Sequence, residues 1–195
     1  MRAILYVAVL VAATPAAHAD SFVDLYGGVS IPVSDDEWTD AVETSPKFGL
    51  RVGAVPNELG GYLSADWAPV NSDADGGFGG ALDVSAHRFR LMVGPVFHHN
   101  VSNTLVVTGR AGIGADIQYV STEVDVFGTR VEDSETDVGL GLEFGGGLWF
   151  KVGSVAVGGE LGLPISMHDD DNENIDYNWT SIDIDLLFGV RFTSR

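Results

Sequence analysis

The side chains of residues 180–192, near the C-terminus, alternate in type almost without interruption. A period of two over this length predicts a β-strand, because a helix would distribute the same acidic residues around its surface. One parity is wholly apolar, and the other carries charges and glycine, interrupted by Leu187. The apolar positions are Ile182, Ile184, Leu186, Phe188, Val190 and Phe192, and the opposite ones are Asp183, Asp185, Gly189 and Arg191. Both a soluble barrel and a membrane barrel contain such strands, so the rest of the chain must decide.

Seven further alternating segments precede this one. The connections between the segments alternate in length along the chain. Long acidic stretches rich in glycine, aspartate and asparagine alternate with short turns. The predicted strands are approximately residues 21–31, 47–55, 60–69, 86–98, 104–119, 138–150, 155–165 and 180–192. The long loops are residues 32–46, 70–85, 120–137 and 166–179, and the short turns are residues 56–59, 99–103 and 151–154.

An even number of strands of about ten residues, with long loops at one end and short turns at the other, is typical of a bacterial transmembrane β-barrel. The fold class we predict is all-β: an eight-stranded antiparallel up-and-down transmembrane β-barrel with four long acidic external loops and three short periplasmic turns. Both chain ends are then expected in the periplasm.

The two faces of the predicted strands differ in the same sense along nearly the whole chain. One face is apolar with almost no charge, and the other carries charges separated by glycines. A soluble ligand-binding barrel needs an apolar enclosed face, so we expect the continuous apolar face to contact lipid. The charged face comprises Asp24, Lys47, Arg51, Asp66, Arg88, Arg90, Arg110, Asp116, Glu143, Glu160, Asp183, Asp185 and Arg191.

Aromatic residues fall near both ends of the predicted strands. With the long loops outside, the loop ends carry Phe48, Trp67, Phe89, Tyr119 and Trp179, and the turn ends carry Phe22, Phe97, Phe150 and Phe192. Two such girdles are expected where a barrel meets the lipid headgroups.

The N-terminus has the features of a secretory signal peptide. Arg2 supplies the positive start, residues 3–13 form an apolar core, and Ala17-His18-Ala19 fits a small-residue cleavage site. The core is shorter than the roughly 20 residues of a spanning helix, which disfavours a retained anchor. We therefore predict a signal peptide over residues 1–19 and an outer-membrane barrel domain over residues 20–195.

The composition limits the classes of molecule that this protein can bind. The formal net charge is −18, which argues against nucleic acid, and most of the acidic residues lie in the long loops, where Arg130 is the one basic residue. The chain has no cysteine, so an exported protein of this kind must be stable without disulfides.

This pattern resembles the small eight-stranded outer-membrane barrels, which include the transmembrane domain of outer membrane protein A and the opacity and surface-antigen barrels. The resemblance covers residues 20–195 and is one of pattern, without a specific residue motif. It implies a bacterial outer-membrane location, contact with outer-membrane lipid, and an aromatic signal in the last strand that is read by the outer-membrane assembly machinery. Phe188, Val190 and Phe192 fit that signal, although residues 193–195 follow it and Leu187 stands where the family often has glycine. We expect no separate peptidoglycan-binding domain.

An eight-stranded barrel is just wide enough for its inner side chains to fill it, so the charges inside must pair. Strand positions suggest one layer toward the turns, with Asp24, Arg110, Glu160 and Arg191. A second layer toward the loops comprises Asp66, Arg88, Arg90, Asp116, Asp183 and Asp185. Asp24 and Arg191 should meet where the first and last strands close the barrel. The run Gly145-Gly146-Gly147 is expected to make room for Trp149 and its neighbours.

The acidic loops have three interpretations: solvation and mutual repulsion, docking of a basic partner protein, and weak binding of divalent cations. Asp169, Asp170, Asp171 and Glu173 are dense in oxygen ligands, but they lack the ordered spacing and the glycine of a calcium loop. We predict no other cofactor, and the external partner is not identified by the sequence.

Enzymatic chemistry is not predicted. Ser166, His168 and Asp169 lie together in the fourth loop, but strand alternation and loop position oppose a converged triad. The same holds for His87 with Ser85. His98 and His99, which flank a predicted periplasmic turn beside Ser102, are interpreted as membrane-interface residues. We expect a monomeric structural or surface-interaction barrel. The alternatives are a narrow ion-conducting pore, a soluble periplasmic barrel and a lipid-modifying enzyme.

Overall fold

A computed structural model describes residues 20–33, 44–71, 81–126, 129–170 and 177–194. The alternating segments form eight β-strands, as side chains with a period of two require. No helix within these ranges is long and apolar enough to cross a membrane. The strands are β1 (Asp20–Pro32), β2 (Ser45–Val55), β3 (Leu59–Asn71), β4 (Ala81–Asn100), β5 (Leu105–Val126), β6 (Thr129–Val152), β7 (Val155–Asp170) and β8 (Tyr177–Ser194).

Each strand pairs antiparallel with its neighbours in sequence, and β8 pairs with β1, so the sheet closes into a barrel. The predicted eight-stranded up-and-down barrel is therefore confirmed. The short turns at one end are residues 56–58, 101–104 and 153–154. Gly153 has a φ of 68°, a left-handed conformation that glycine adopts without steric cost, and it allows β6 to turn into β7 within two residues.

The strands extend further at their loop ends than predicted. β5 and β6 stay paired from Leu105↔Phe150 to Val126↔Thr129, so the prediction of a long loop over residues 120–137 is wrong for most of its length. The acidic residues suggested a solvated loop, but valine and threonine alternate with them, and such a sequence also suits a solvated strand pair. Residues 81–85 likewise belong to β4, and residues 166–170 to β7. Residues 32, 45–46, 70–71 and 177–179 of the predicted loops also belong to strands. Residues 34–43, 72–80, 127–128 and 171–176 lie outside the described residues.

The distribution of side chains is the reverse of that in a soluble protein. Apolar side chains point outward and are exposed, with exposed fractions of 52% for Leu25, 59% for Leu161 and 72% for Phe188. Charged and polar side chains point inward and are buried. Because water disfavours a continuous apolar outer surface of this size, the belt requires lipid around it.

Among the side chains that the structure describes, the aromatic residues follow the predicted girdles with one exception. At the loop end, Phe48 and Trp67 are exposed and stack with ring centroids 6.0 Å apart. Phe22, expected in the girdle at the turn end, is instead 3% exposed and faces the lumen. The reason is its position on the strand, because Phe22 has the same parity as the inward-facing Asp24. The side chain of Trp179 lies outside the described residues.

Candidate functional site

The lumen of the barrel is the candidate site, because it concentrates the charged residues. All thirteen side chains of the charged face are buried, with exposed fractions of 8% or less. Ion pairs group them into two clusters. The turn-end cluster comprises Asp24, Arg51, Arg110, Glu143, Glu160 and Arg191. The loop-end cluster comprises Lys47, Asp66, Arg88, Arg90, Asp116, Asp183 and Asp185.

Arg191 of β8 lies in a pocket of the turn-end cluster that is formed by aromatic rings and a carboxylate. Its Nε and Nη2 donate to the two carboxylate oxygens of Asp24, each at 2.7 Å, in the bidentate geometry that favours arginine. The guanidinium also lies 4.6 Å from the ring centroid of Phe22 and 4.2 Å from that of Trp149. Its Nη1 lies 3.1 Å from His98 Nε2. The cation is therefore held from several sides.

Arg51 of β2 has a similar environment in the same cluster. Its Nη1 lies 3.2 Å from Asp24 Oδ2 and 3.0 Å from Glu160 Oε2. The guanidinium lies 4.8 Å from the ring centroid of Tyr26 and 5.6 Å from that of Tyr62. Both rings can stabilise the buried cation through their π faces. Arg51 of β2 thus bonds Asp24 on the neighbouring strand β1 and reaches Glu160 of β7 across the lumen.

Glu160 of β7 is the shared acceptor of the turn-end cluster. Besides Arg51, it accepts a hydrogen bond from Arg110 Nη1 and another from Trp149 Nε1, the latter at 3.2 Å. Arg110 Nε also lies 3.4 Å from Glu143 Oε1. With three arginines and three carboxylates, the turn-end cluster carries no net charge.

Two arginines and two aspartates form the centre of the loop-end cluster. Arg88 lies 2.8 Å from both Asp116 and Asp183, and Arg90 lies 2.9 Å from Asp116 and 2.6 Å from Asp183. Each aspartate therefore bridges both cations. This shared pairing offsets the repulsion between two neighbouring guanidinium groups.

Lys47 completes the loop-end cluster on its β1 side. Its Nζ lies 2.6 Å from Asp185 Oδ2 and 3.4 Å from Asp66 Oδ2. Ser30 Oγ donates to Asp185 at 2.7 Å, and the Tyr26 hydroxyl donates to Asp66. The cluster contains three basic and four acidic residues, so it retains one more carboxylate than bases.

Inward-facing glycines make room for these long side chains. A Cβ at Gly49 would lie 2.3 Å from Asp66 Oδ1, and a Cβ at Gly147 would lie 2.5 Å from Glu160 Cγ. Gly145 similarly faces the Arg110 guanidinium. Gly147 thus makes room for Glu160, the hydrogen-bond partner of Trp149, and the Trp149 ring itself packs against Gly158.

Ser166 and His168 lie in β7 and face the lumen, whereas we expected them in a loop. Both side chains approach Asp116: Ser166 Oγ donates to its carboxylate, and His168 Nε2 lies 3.7 Å from Oδ1. The side chain of Asp169 lies outside the described residues. Because Ser166 is 1% exposed and donates to a carboxylate, it is not an accessible nucleophile.

The other candidate histidines, His87, His98 and His99, do not lie together in one site. His87 packs against Trp67 on the outer surface, with centroids 6.0 Å apart, and His99 Nδ1 lies 2.8 Å from Glu58. His98 faces the lumen beside Arg191. Ser102 makes its hydrogen bonds within its own turn, with Thr104 and Leu105.

A metal site is not evident in the part of the chain that the structure describes, where no three histidine, cysteine, aspartate or glutamate residues are grouped to hold an ion. The candidate cation loop lies outside that part: the side chains of Asp169 and Asp170 are not described, nor are Asp171 and Glu173. Cation binding at this loop stays a prediction.

Sequence reasoning missed several polar and aromatic residues of the lumen. Tyr26 and Tyr62 hold Arg51 through their rings and hydrogen-bond Asp66 and Glu143 through their hydroxyls. Trp149 holds Arg191. Strand parity places all three on the charged face, so this signal was available in the sequence. It was overlooked because aromatic residues were assigned to the girdles or, for Trp149, to packing against glycine.

A closed eight-stranded barrel with an apolar outer belt and an ion-paired interior has the architecture of an outer-membrane β-barrel. Residues 4–153 match the outer membrane protein beta-barrel domain family, and the chain belongs to that family. Its location is the bacterial outer membrane. No curated protein matches the sequence.

Solved structures share the fold. The attachment invasion locus protein Ail of Yersinia pestis is 16% identical, with a TM-score of 0.54 over 91% of this chain and 99% of that chain. A major outer membrane protein from Thermus thermophilus is 11% identical, with a TM-score of 0.55 over 89% of this chain and 99% of that chain. At these identities the likeness establishes the fold alone.

Proposed function

We propose that this protein is a structural or surface-interaction barrel whose lumen does not form an open channel. The observation that carries the proposal is the ion pairing of the lumen, where thirteen buried charged side chains are joined in two clusters. Arg88 and Arg90 of β4 pair with Asp183 of β8, a strand on the opposite side of the eight-stranded barrel. An ion passing through would have to separate such pairs, at a cost of several kcal/mol.

The surface-interaction role is supported by the shape of the loop end. β4, β5 and β6 continue as a paired sheet beyond the point where β6 stops pairing with β7, at Leu140↔Met167. Asp133 and Glu135 on this extension are exposed, and their charges suit a basic partner surface. Deleting residues 120–137 and closing the strands with a short turn should abolish surface binding without unfolding the barrel. If deleting residues 34–43 abolishes binding and deleting residues 120–137 does not, this assignment is wrong.

Single-channel conductance tests the closed lumen. Residues 20–195 are refolded in detergent and added to a planar bilayer, and insertion is verified by the mobility difference between unheated and heated samples. We expect inserted protein without unitary current steps. Steady steps from the unaltered chain would refute the proposal.

A narrow pore is the second candidate, favoured by the extra carboxylate of the loop-end cluster. A pore through this cluster would select cations, since its fixed charge is negative. In that case Asp116→Asn should lower cation selectivity, whereas the outward-facing control Thr136→Val should leave it unchanged.

Assembly and oligomeric state follow from the barrel as proposals. Phe188, Val190 and Phe192 share the outward face of β8, where the assembly machinery can read them. Phe192→Ala should therefore reduce the assembled fraction in membranes, and an unchanged fraction would count against the signal. Because each chain closes its own barrel, a monomer leaves no strand edge unpaired at the seam.

A further inference from the structure

We propose that the three charges on the inner face of β8 select the register in which this strand closes the barrel. These charges are Asp183 and Asp185 toward the loops and Arg191 toward the turns, and we call them the β8 charge set. In the observed register Arg191 lies opposite Asp24 across the seam between β1 and β8.

The charges of the other seven strands complement the β8 charge set. Without β8, the turn-end cluster holds two arginines and three carboxylates, and the loop-end cluster holds three basic residues and two aspartates. The first is then negative and the second positive. β8 brings its cation to the negative cluster and its two anions to the positive one.

The contacts of the β8 charge set reach well beyond the neighbouring strands. Arg191 bonds Asp24 on β1 and lies 4.2 Å from the Trp149 ring on β6. Asp183 bonds Arg88 and Arg90 on β4, and Asp185 bonds Lys47 on β2. A displacement of β8 along its axis would therefore change its charged contacts with β1, β2, β4 and β6 at the same time.

Close packing of Gly28 against Leu186 and of Gly189 against Tyr26 contributes to the register at this seam, but the outer face of β8 does not. A slip of two residues keeps every side chain on the same face, so the apolar pattern does not oppose it. The outward positions from Ile182 to Phe192 are uniformly apolar, so lipid contact does not distinguish the registers either. The seam to β1 has no connecting turn. A slip of two residues would move Arg191 along the strand by about 6.6 Å, away from its pocket.

Cysteine cross-linking on the lipid-facing surface measures the register directly, because the chain has no native cysteine. Val23→Cys with Phe192→Cys reports the observed register, in which these positions are opposite each other. Leu25→Cys with Phe192→Cys reports a slip of two residues. Each pair is refolded into lipid vesicles and oxidised, and the ratio of the two cross-linked yields is the readout. Both pairs lie outside the lumen, so they leave the charges intact.

Arg191→Gln should lower the ratio of observed to slipped register at least tenfold, and Arg191→Lys should largely restore it by keeping the charge. Arg110→Gln is the matched control, since it removes the same charge from the same cluster but from β5. We expect it to lower stability and leave the ratio unchanged. An unchanged ratio in Arg191→Gln, or an equal fall in Arg110→Gln, would overturn the proposal.

Salt tests the proposal without a lumen variant, in case Arg191→Gln does not fold. The two cysteine pairs in the otherwise native chain are refolded at 20 mM and at 1 M sodium chloride, where the screening length falls to about 3 Å. The charges are hydrated until β8 closes the barrel, and salt screens them at that stage. Selection of register by charge during closure therefore predicts a several-fold lower ratio at 1 M. A ratio that does not respond to salt would show that packing alone sets the register.

Discussion

Replacing Arg51 with methionine removes the cation that joins Asp24 to Glu160. Methionine keeps most of the length of the side chain, so the main loss is the guanidinium with its carboxylate contacts at 3.2 Å and 3.0 Å. The turn-end cluster would then hold two arginines and three carboxylates in a site from which water is excluded. Breaking a buried ion pair in this way costs about 3–5 kcal/mol.

The two rings beside Arg51 add to this loss. Guanidinium contacts with Tyr26 and Tyr62 at 4.8 Å and 5.6 Å each contribute roughly 0.5–1 kcal/mol. Part of this is regained by apolar contact with the methionine side chain. We therefore expect the free energy of unfolding to fall by about 4 kcal/mol, or about three powers of ten in the folded-to-unfolded ratio.

Urea unfolding in lipid vesicles, followed by tryptophan fluorescence, measures this loss. The informative comparison is the double variant Arg51→Met with Glu160→Gln, which returns the cluster to equal numbers of cations and anions. Its loss should be smaller than the sum of the single losses by at least about 1 kcal/mol, because paired sites couple. Lys151→Met, at the turn end of β6, is the control and should cost less than about 0.5 kcal/mol. Strict additivity of the two lumen variants, or a loss in Arg51→Met no larger than in Lys151→Met, would refute the reasoning.

The remaining predictions concern the seam and the packing of the lumen. Asp24→Asn and Arg191→Gln should each lower the temperature at which the unheated gel mobility is lost, and the double variant should be no worse than the poorer single one; additive losses would argue against the pair. Gly49→Ala places a methyl group 2.3 Å from Asp66 Oδ1, and such overpacking should cost about 1–3 kcal/mol in urea unfolding. Gly109→Ala has nothing within 4 Å of the added atom and should be tolerated, so equal losses in both variants would exclude a steric cause.

The number of strands, their order and the face of each residue were predictable because parity is a local property. In β8, for example, the apolar residues Leu186 and Phe188 have one parity and the charged residue Asp185 has the other. This alternation assigns each residue to the outer or the inner face. The contact of Asp24 with Arg191 was predictable for a second reason. The first and last strands must meet in any closed barrel, and both residues lie near its turn end.

Contacts across the lumen were not predictable. Arg51 on β2 reaches Glu160 on β7 only because the stagger of the strands brings both residues to the same height, and stagger is not encoded in the spacing of any one strand. The long β5–β6 hairpin was missed for a different reason. Residues such as Glu135 and Asp137 suggested solvent exposure, and exposure was taken to exclude strand pairing, although the two are compatible.

The length of β6 determines where this protein meets its surroundings. Its 24 residues, at about 3.3 Å each, extend about 80 Å, and a tilt of about 40° converts this to a height of about 60 Å. The hydrocarbon band accounts for only about 25 Å of that height. The β5–β6 hairpin therefore extends roughly 30 Å beyond the hydrocarbon band on one side of the barrel. With this end outside, as we predict, a molecule that approaches the cell meets the hairpin before it reaches the lipid. The length of the sheet then sets the distance of this first contact from the bilayer.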